Sequence, residues 1–347
     1  MKKFFLILFP LIVFVFILSC SGGGGSEDGS AAGDPQITGT TSGTSGTPIT
    51  VSADVLLLST SGLKTDAAFD AALSDYTSVM ASREGLKVLH VVIDSDQCRT
   101  LFGDSAAYEN GWQAIKALIR TILDSTGAGY IILLGGEKSF PRPVVALETH
   151  NETYPVIDVP GDVWYIDFDN NKIVDADLYI SRIPDLNFNT GIITQYLRHA
   201  IAVHERGGIH LANRKDFDST TTPPYGTCDT CDADAFYAMM GTYEAIFFWG
   251  HGDYVGLWNY EYDKILLYYE IQNIDFTGNH PMVFALTPCR AGKLYSGSYD
   301  MASLATEFIE NGVSGYFANT AAWGVTIPMR DYLYENMTHE YTIGKIV

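Results

Sequence analysis

"EAIFFWGHGDYVGLW", Glu244 to Trp258, sets a histidine between two glycines directly after an apolar run. A short aliphatic and aromatic run bounded by glycine reads as a strand buried on both faces. The stretch therefore carries an imidazole to the end of a core strand and strips the side chains from both of its neighbours. A second stretch, "PMVFALTPCRAG", Pro281 to Gly292, repeats the design with Cys289 where the histidine was. Ligands and catalytic groups in open α/β sheets gather beyond the carboxyl ends of the strands. His251 and Cys289 stand 38 residues apart, which leaves room for one strand and a crossover, so adjacent parallel strands would set imidazole and thiol side by side.

That pairing has a chemistry. His251 takes the thiol proton, and the thiolate rather than the thiol is the nucleophile. Gly250 and Gly252 let the backbone turn sharply and let a substrate chain approach, and the Gly252 and Cys289 N–H groups are candidate donors to an oxyanion. Trp258 and Trp323 are candidate walls of a substrate cleft, with ordinary core packing as the competing reading.

The rest of the chain supports a parallel sheet. "ADVLLLST", "LKVLHVVID" and "GYIILLGG" read as strands, and "DAAFDAALSDYTSVMASREG" and "YENGWQAIKALIRTILDSTG" between them read as helices, with apolar residues at three-to-four spacing. The alternation resumes in "EAIFFWG", "MVFALTP" and "GVSGYFANT", with the helix "DMASLATEFIENG" before the last. Strand, helix, strand, helix predicts a mainly parallel sheet with helices on both faces. The polar, Pro-containing stretch "HLANRKDFDSTTTPPYGTCDTCDAD" between the halves reads as a loop joining two α/β subdomains, about 51–205 and 232–347.

An apolar strand ending in His-Gly, a Trp several residues on, a second strand ending in Cys, then a helix and a further strand resemble the gingipain family of bacterial cysteine peptidases, relatives of the caspases. "GYIILLGGEKSFPRPVV" and "GDVWYIDFDNNKIVDADLYISRIPD" extend the resemblance, which covers about 51–347. It implies a caspase-like α/β/α sandwich and a cysteine endopeptidase acting on polypeptides through a Cys289 thioester, with His251 as general base and then acid. The family's Gly-Arg stands here as Ser181-Arg182, and Pro288 precedes the cysteine. The resemblance also gives Asp177 the task of orienting His251, in the place of the family's usual Glu, and matches Asp162, which is read as a capping or pairing residue. Gingipains cut after Arg or Lys, which requires an acidic pocket, and no pocket carboxylate aligns. Relatives continue past residue 347, which implies a chain truncated at its C-terminus. The competing function is a peptidase-like surface lipoprotein without activity, acting as a binding or assembly factor.

Composition limits the partners. With 21 Lys and Arg against 41 Asp and Glu, the formal charge is −20, so a phosphate backbone is repelled and nucleic acid is not expected. Two lysines, the apolar segment Phe4–Leu18 and Ser19-Cys20 have the shape of an export signal, shorter than the roughly 20 residues a bilayer span needs. The end of that signal resembles the bacterial lipoprotein processing box. That resemblance implies that residues 1–19 form the signal peptide and that Cys20 carries a lipid anchoring the chain to a membrane of the bacterial cell envelope, with an ordinary signal peptide or an uncleaved anchor as the competing reading. From Ser21 to Thr50, 20 of 30 residues are Gly, Ser or Thr, so residues 20–50 read as lipidated cysteine and flexible tether. Cys228 and Cys231 suit a local disulfide, a metal site or free thiols, and Cys98 reads as a free thiol near a strand end. No cofactor is expected. "DFDNN", Asp167 to Asn171, has oxygen ligands at alternating positions, read either as a polar turn or as a structural calcium loop lacking the distal Glu.

Overall fold

The computed structural model describes residues 51–148, 156–171, 177–207, 214–218, 233–259, 262–274, 276, 278–285, 287–296, 299–300 and 302–318. Cys20 with its signal and tether, Cys228, Cys231, Trp323 and the C-terminal segment lie outside the described residues.

The first half contains β1 (Val55–Ser59), α1 (Ala67–Val79), β2 (Val88–Val92), α2 (Asp96–Phe102), α3 (Gly111–Thr126) and β3 (Tyr130–Leu134). The hairpin of β4 (Val144–Glu148) and β5 (Val156–Pro160) follows, then β6 (Tyr179–Ile183) and α4 (Gly191–Glu205). β2, β1, β3 and β6 lie in that order as a parallel sheet. Every residue of β1 is buried, because the sheet is covered on both faces. Leu56 and Leu58 enter the core with Ile115, Leu118 and Ile122 of α3, while Val55 and Leu57 enter the core with Phe69 and Tyr76 of α1 and Tyr196 and Leu197 of α4. The period of two along the strand sends alternate residues to opposite faces. α1 starts where the Asp66 carboxylate accepts from the Phe69 N–H at 2.8 Å, satisfying one of the orphan donors of its first turn.

The second half contains β7 (Arg214–Asp218), α5 (Ala233–Met240), β8 (Ala245–Trp249), β9 (His251–Gly252), β10 (Gly256–Trp258) and β11 (Lys264–Leu267). It continues with β12 (Met282–Ala285), the two-residue strands β13 (Tyr295–Ser296) and β14 (Tyr299–Asp300), α6 (Leu304–Glu310) and β15 (Gly315–Ala318). β15, β12, β8 and β7 form a second parallel sheet in that order. One face of β8 and β12 packs Ile246, Phe248, Val283 and Ala285 against α5 and α6. On the other face the rings of Phe247, Phe284 and Phe317 stack across three strands, 4.4 and 4.5 Å apart and within 12° of parallel, which fixes register as well as burying area.

The two sheets point the same way. Arg206, just past α4, donates to the carbonyls of Gly278 and Asn279 ahead of β12, and the Tyr196 hydroxyl donates to the Ser314 carbonyl ahead of β15 at 3.1 Å. The carboxyl end of α4 therefore meets the amino ends of the second sheet's strands. At the far side, Glu137 and Arg142 after β3 act electrostatically on Lys293, four residues past Cys289. Among the described residues the molecule is a mixed α/β structure in which helices flank mainly parallel sheets, the layered arrangement expected of an α/β/α sandwich.

Two expectations need correction. The stretch read as a junction loop contains β7, whose charged sequence Arg-Lys-Asp-Phe-Asp suits an edge strand and conceals it from a search for apolar runs. Cys98 sits inside α2, where its N–H is capped by the Ser95 hydroxyl at 3.1 Å, and not at a strand end. In the Asp167–Asn171 turn the Lys116 ammonium engages the Asp167 carbonyl and, at 2.7 Å, the Asn170 side-chain oxygen.

Arg182 on β6 organises the carboxyl edge of the first sheet. Its guanidinium makes a two-pronged pair with Asp162, 2.6 and 2.8 Å, and donates to the carbonyls of Gly136 at 2.8 Å and Phe140 at 3.1 Å. Asp162 is thus a pairing residue within the fold, one of the two roles read for it from the sequence. Burial works against the guanidinium charge, but the Asp162 carboxylate outweighs it and holds Arg182 firmly protonated. Replacing Arg182 with Ala strands Asp162, whose side chain is 14% exposed, and should cost about 3–5 kcal/mol. A urea titration would read this as a lower midpoint with an unchanged slope; an unmoved midpoint would refute the assignment.

Candidate active site

β8 and β12 are adjacent, with Ala245, Ile246, Phe247 and Phe248 paired to Met282, Val283, Phe284 and Ala285. His251 lies three residues beyond the end of this register and Cys289 four, so both leave adjoining strand ends on the carboxyl side. The two exits are tied together. The Thr287 hydroxyl accepts from the Gly250 N–H at 2.8 Å and donates to the Gly250 carbonyl at 3.1 Å. Each such bond contributes about 0.5–1.5 kcal/mol net. Together they hold the backbone before His251 to the backbone before Cys289.

Gly252 explains the glycine after the histidine. A Cβ built there would stand 2.6 Å from the Pro288 Cβ, 3.1 Å from the Gly256 carbonyl and 3.2 Å from Leu257. The residue is small because the proline preceding the cysteine packs directly on it. Its N–H direction follows from the hairpin. The Asp253 N–H donates to the Gly256 carbonyl at 3.0 Å, which makes 253 and 256 a bonded pair. Gly252 and Leu257, next along the register, are then a non-bonded pair in the antiparallel alternation. The Gly252 N–H accordingly faces away from β10.

The cysteine turn is held from the other side by β15. The buried Tyr316 hydroxyl donates to the Ala291 carbonyl at 3.2 Å, and Gly292 is pressed against Ala318, whose carbonyl would be 2.7 Å from an added Cβ. Arg290 adopts φ +52° and its carbonyl accepts from the Lys293 N–H at 3.0 Å, closing a tight turn. Burial pushes the Cys289 thiol above its usual value, opposed by the Arg290 charge and by a backbone hydrogen bond. Lys293 is pulled below its usual value by burial and by the neighbouring charges of Arg290 and Arg142, and its ammonium lies 5.5 Å from the centre of the Tyr254 ring. In a chain with twice as many acidic as basic residues, cations gather beside the thiol.

The structure places the other candidates as follows. Trp258 is half-buried and pairs with His251 across β9 and β10. Asp177 is exposed and precedes β6, where it lines an open recess of about 690 Å³ with Arg120, Asp124, Asp169 and Asn171. That recess is at the amino edge of the first sheet, beside Gly129, whereas His251 and Cys289 leave carboxyl ends. A five-residue strand separates the two edges by roughly 17 Å. Asp177 is not brought to His251. Two contributors escaped the sequence reading, although each carried a signal. Thr287 is a hydroxyl immediately before Pro-Cys. Tyr262 stacks its ring on the His251 imidazole, centroids 4.3 Å apart and planes 9° from parallel, and belongs to the aromatic, acidic sequence Tyr260-Glu261-Tyr262-Asp263. Among the described residues no group of three or more His, Cys, Asp or Glu side chains is arranged to hold a metal ion.

Comparison with known proteins places this architecture. No family model matches the chain and no curated protein does. A solved structure described as "Structure of Protease" superposes with a TM-score of 0.53 at 11% identity, covering 80% of this chain and 61% of that one. The chain shares a fold with a protease. It spans about three-fifths of that structure's length, and at this identity the likeness speaks for the fold.

The two described cysteines differ in a way that can be measured. Cys98 is 1% exposed and its thiol is raised to about 11 by burial, with Asp104 and Asp94 adding to the effect. Cys289 is only half-buried. Because the thiolate is the reactive form, iodoacetamide at pH 8 should modify Cys289 well before Cys98, and Cys98 should gain reactivity only as the pH approaches 11. Peptide mapping after timed labelling checks this; faster modification of Cys98 would contradict the burial described.

Proposed function

We propose that this chain is an exported, lipid-anchored cysteine endopeptidase of the gingipain-like, caspase-related kind, acting through His251 and Cys289. The observation that carries the reading is the clamp of Thr287 on Gly250, with Pro288 seated on Gly252, which ties a histidine exit and a cysteine exit on adjacent parallel strands. The protease-like fold supports it.

In this reading His251 removes the Cys289 thiol proton as the sulfur attacks a peptide carbonyl carbon. The raised thiol makes that base necessary, since burial disfavours spontaneous ionisation. The carbonyl oxygen becomes an oxyanion that accepts from the Gly252 and Cys289 N–H groups. The C–N bond then breaks as His251 returns the proton to the leaving amine, giving a thioester on Cys289. Water, deprotonated by His251, attacks the thioester and releases the acid and the free thiol. Trp258, beside His251 in the ladder, is the candidate wall for the substrate. The remaining proposed wall, Trp323, and the lipidated Cys20 belong to segments outside the described residues.

Cys289→Ala should abolish hydrolysis of a casein or fluorogenic peptide substrate with little change in thermal midpoint. His251→Ala should reduce kcat/KM by about 10²- to 10⁴-fold, the usual size of a lost acid–base group. Asp177→Asn, at the other edge of the sheet, should leave both parameters unchanged. A parent protein that neither turns over peptides nor reacts with an acyl-type cysteine probe would instead favour a binding or assembly role for the same fold.

The anchor is tested separately. The parent expressed in a bacterial host should partition into the detergent phase after phase separation, and Cys20→Ala should move it to the aqueous phase or block signal removal. Identical maturation and partitioning of the two would eliminate lipidation at Cys20.

A further inference from the structure

The histidine of a thiol–imidazole pair must keep its ring in one plane, and here a residue other than Asp177 is placed to do so. Tyr262 stacks face to face on His251 at 4.3 Å and 9°. Three features make this more than incidental packing. Tyr262 is 69% exposed, so burying its own ring does not account for its position. It adopts φ +66°, a left-handed backbone that is unfavourable for a bulky aromatic side chain and persists only where surrounding structure over-determines it. The surrounding structure is visible: the Asn259 N–H donates to the Asp263 carbonyl at 2.9 Å, the Asp263 N–H donates to the Asn259 side-chain oxygen at 2.7 Å, and the Tyr262 N–H donates to the Asn259 carbonyl at 3.1 Å. This latch closes the loop between β10 and β11 and holds Tyr262 in the strained conformation that lays its ring over the histidine.

Resting on the cysteine-peptidase reading, we infer that Tyr262 is a positioning residue for His251, fixing the plane of the imidazole and presenting an electron-rich ring face to the cation formed when His251 accepts the Cys289 proton. A face-on aromatic ring attracts such a cation. Tyr262 also covers one face of the imidazole. The role needs an aromatic ring and not the hydroxyl. Phe should serve where Ala does not.

The test compares Tyr262→Ala and Tyr262→Phe in the full chain. By NMR the His251 ring protons should be shifted upfield in the parent and in Tyr262→Phe, and return toward ordinary positions in Tyr262→Ala. The rate of Cys289 alkylation by iodoacetamide at pH 7 and kcat for a peptide substrate should both fall in Tyr262→Ala by about 2- to 5-fold, the size of an exposed cation–π contact, with KM and the thermal midpoint unchanged. Tyr262→Phe should restore both. Unshifted His251 protons in the parent, or equal alkylation rates in parent and Tyr262→Ala, would overturn the inference. A rise in KM with kcat unchanged would overturn it too, by making Tyr262 a substrate contact. His251→Ala separates the two layers of the argument: if it leaves Cys289 alkylation unaltered, the dyad itself fails, whatever the NMR shifts report about the stack.

Discussion

A single threonine hydroxyl, accepting from and donating to the same glycine, fixes how the two strand exits of the second sheet relate to one another. Thr287 and Gly250 belong to segments 37 residues apart, and without that closure two glycine-rich and proline-containing turns would have independent freedom. The seating of Pro288 on Gly252 lies beside this closure, between the exits that carry His251 and Cys289. Behind it stands a rigid support. The ring ladder of Phe247, Phe284 and Phe317 locks β8, β12 and β15 in register, and Tyr316 and Ala318 brace the far side of the cysteine turn. Loops carrying chemistry gain precision when the elements beneath them cannot slide.

The first sheet contributes an edge instead of a reactive group. Arg182 gathers Asp162 and the carbonyls of the turn after β3, and that turn carries Glu137 and Arg142 toward Lys293. A largely buried ion pair is an expensive way to stabilise a fold. Its geometric effect is to set a loop of one sheet against the cysteine turn of the other, at the side where both sets of strands end.

Much of this was readable from the amino-acid order. Apolar runs such as Val55–Ser59 and Ala245–Trp249 are strands because helices cover both faces of their sheets, and a pattern repeated from His251 to Cys289 signals paired exits. β7 was missed because an edge strand carries charge where a central one carries aliphatic side chains. Asp177 was misplaced because a motif fixes distance along the chain, while the edge of the sheet at which a carboxylate emerges depends on whether it precedes or follows its strand. Tyr262 was passed over for another reason. Its position depends on a left-handed backbone and an Asn259–Asp263 latch, and neither leaves a periodic trace.

The burial that raises the Cys289 thiol bears on chemical durability. Peroxide, like iodoacetamide, attacks thiolate in preference to thiol. A sulfur that burial keeps protonated presents little of the oxidisable form. The same desolvation that disfavours ionisation of Cys289 therefore lowers its exposure to sulfenic acid formation.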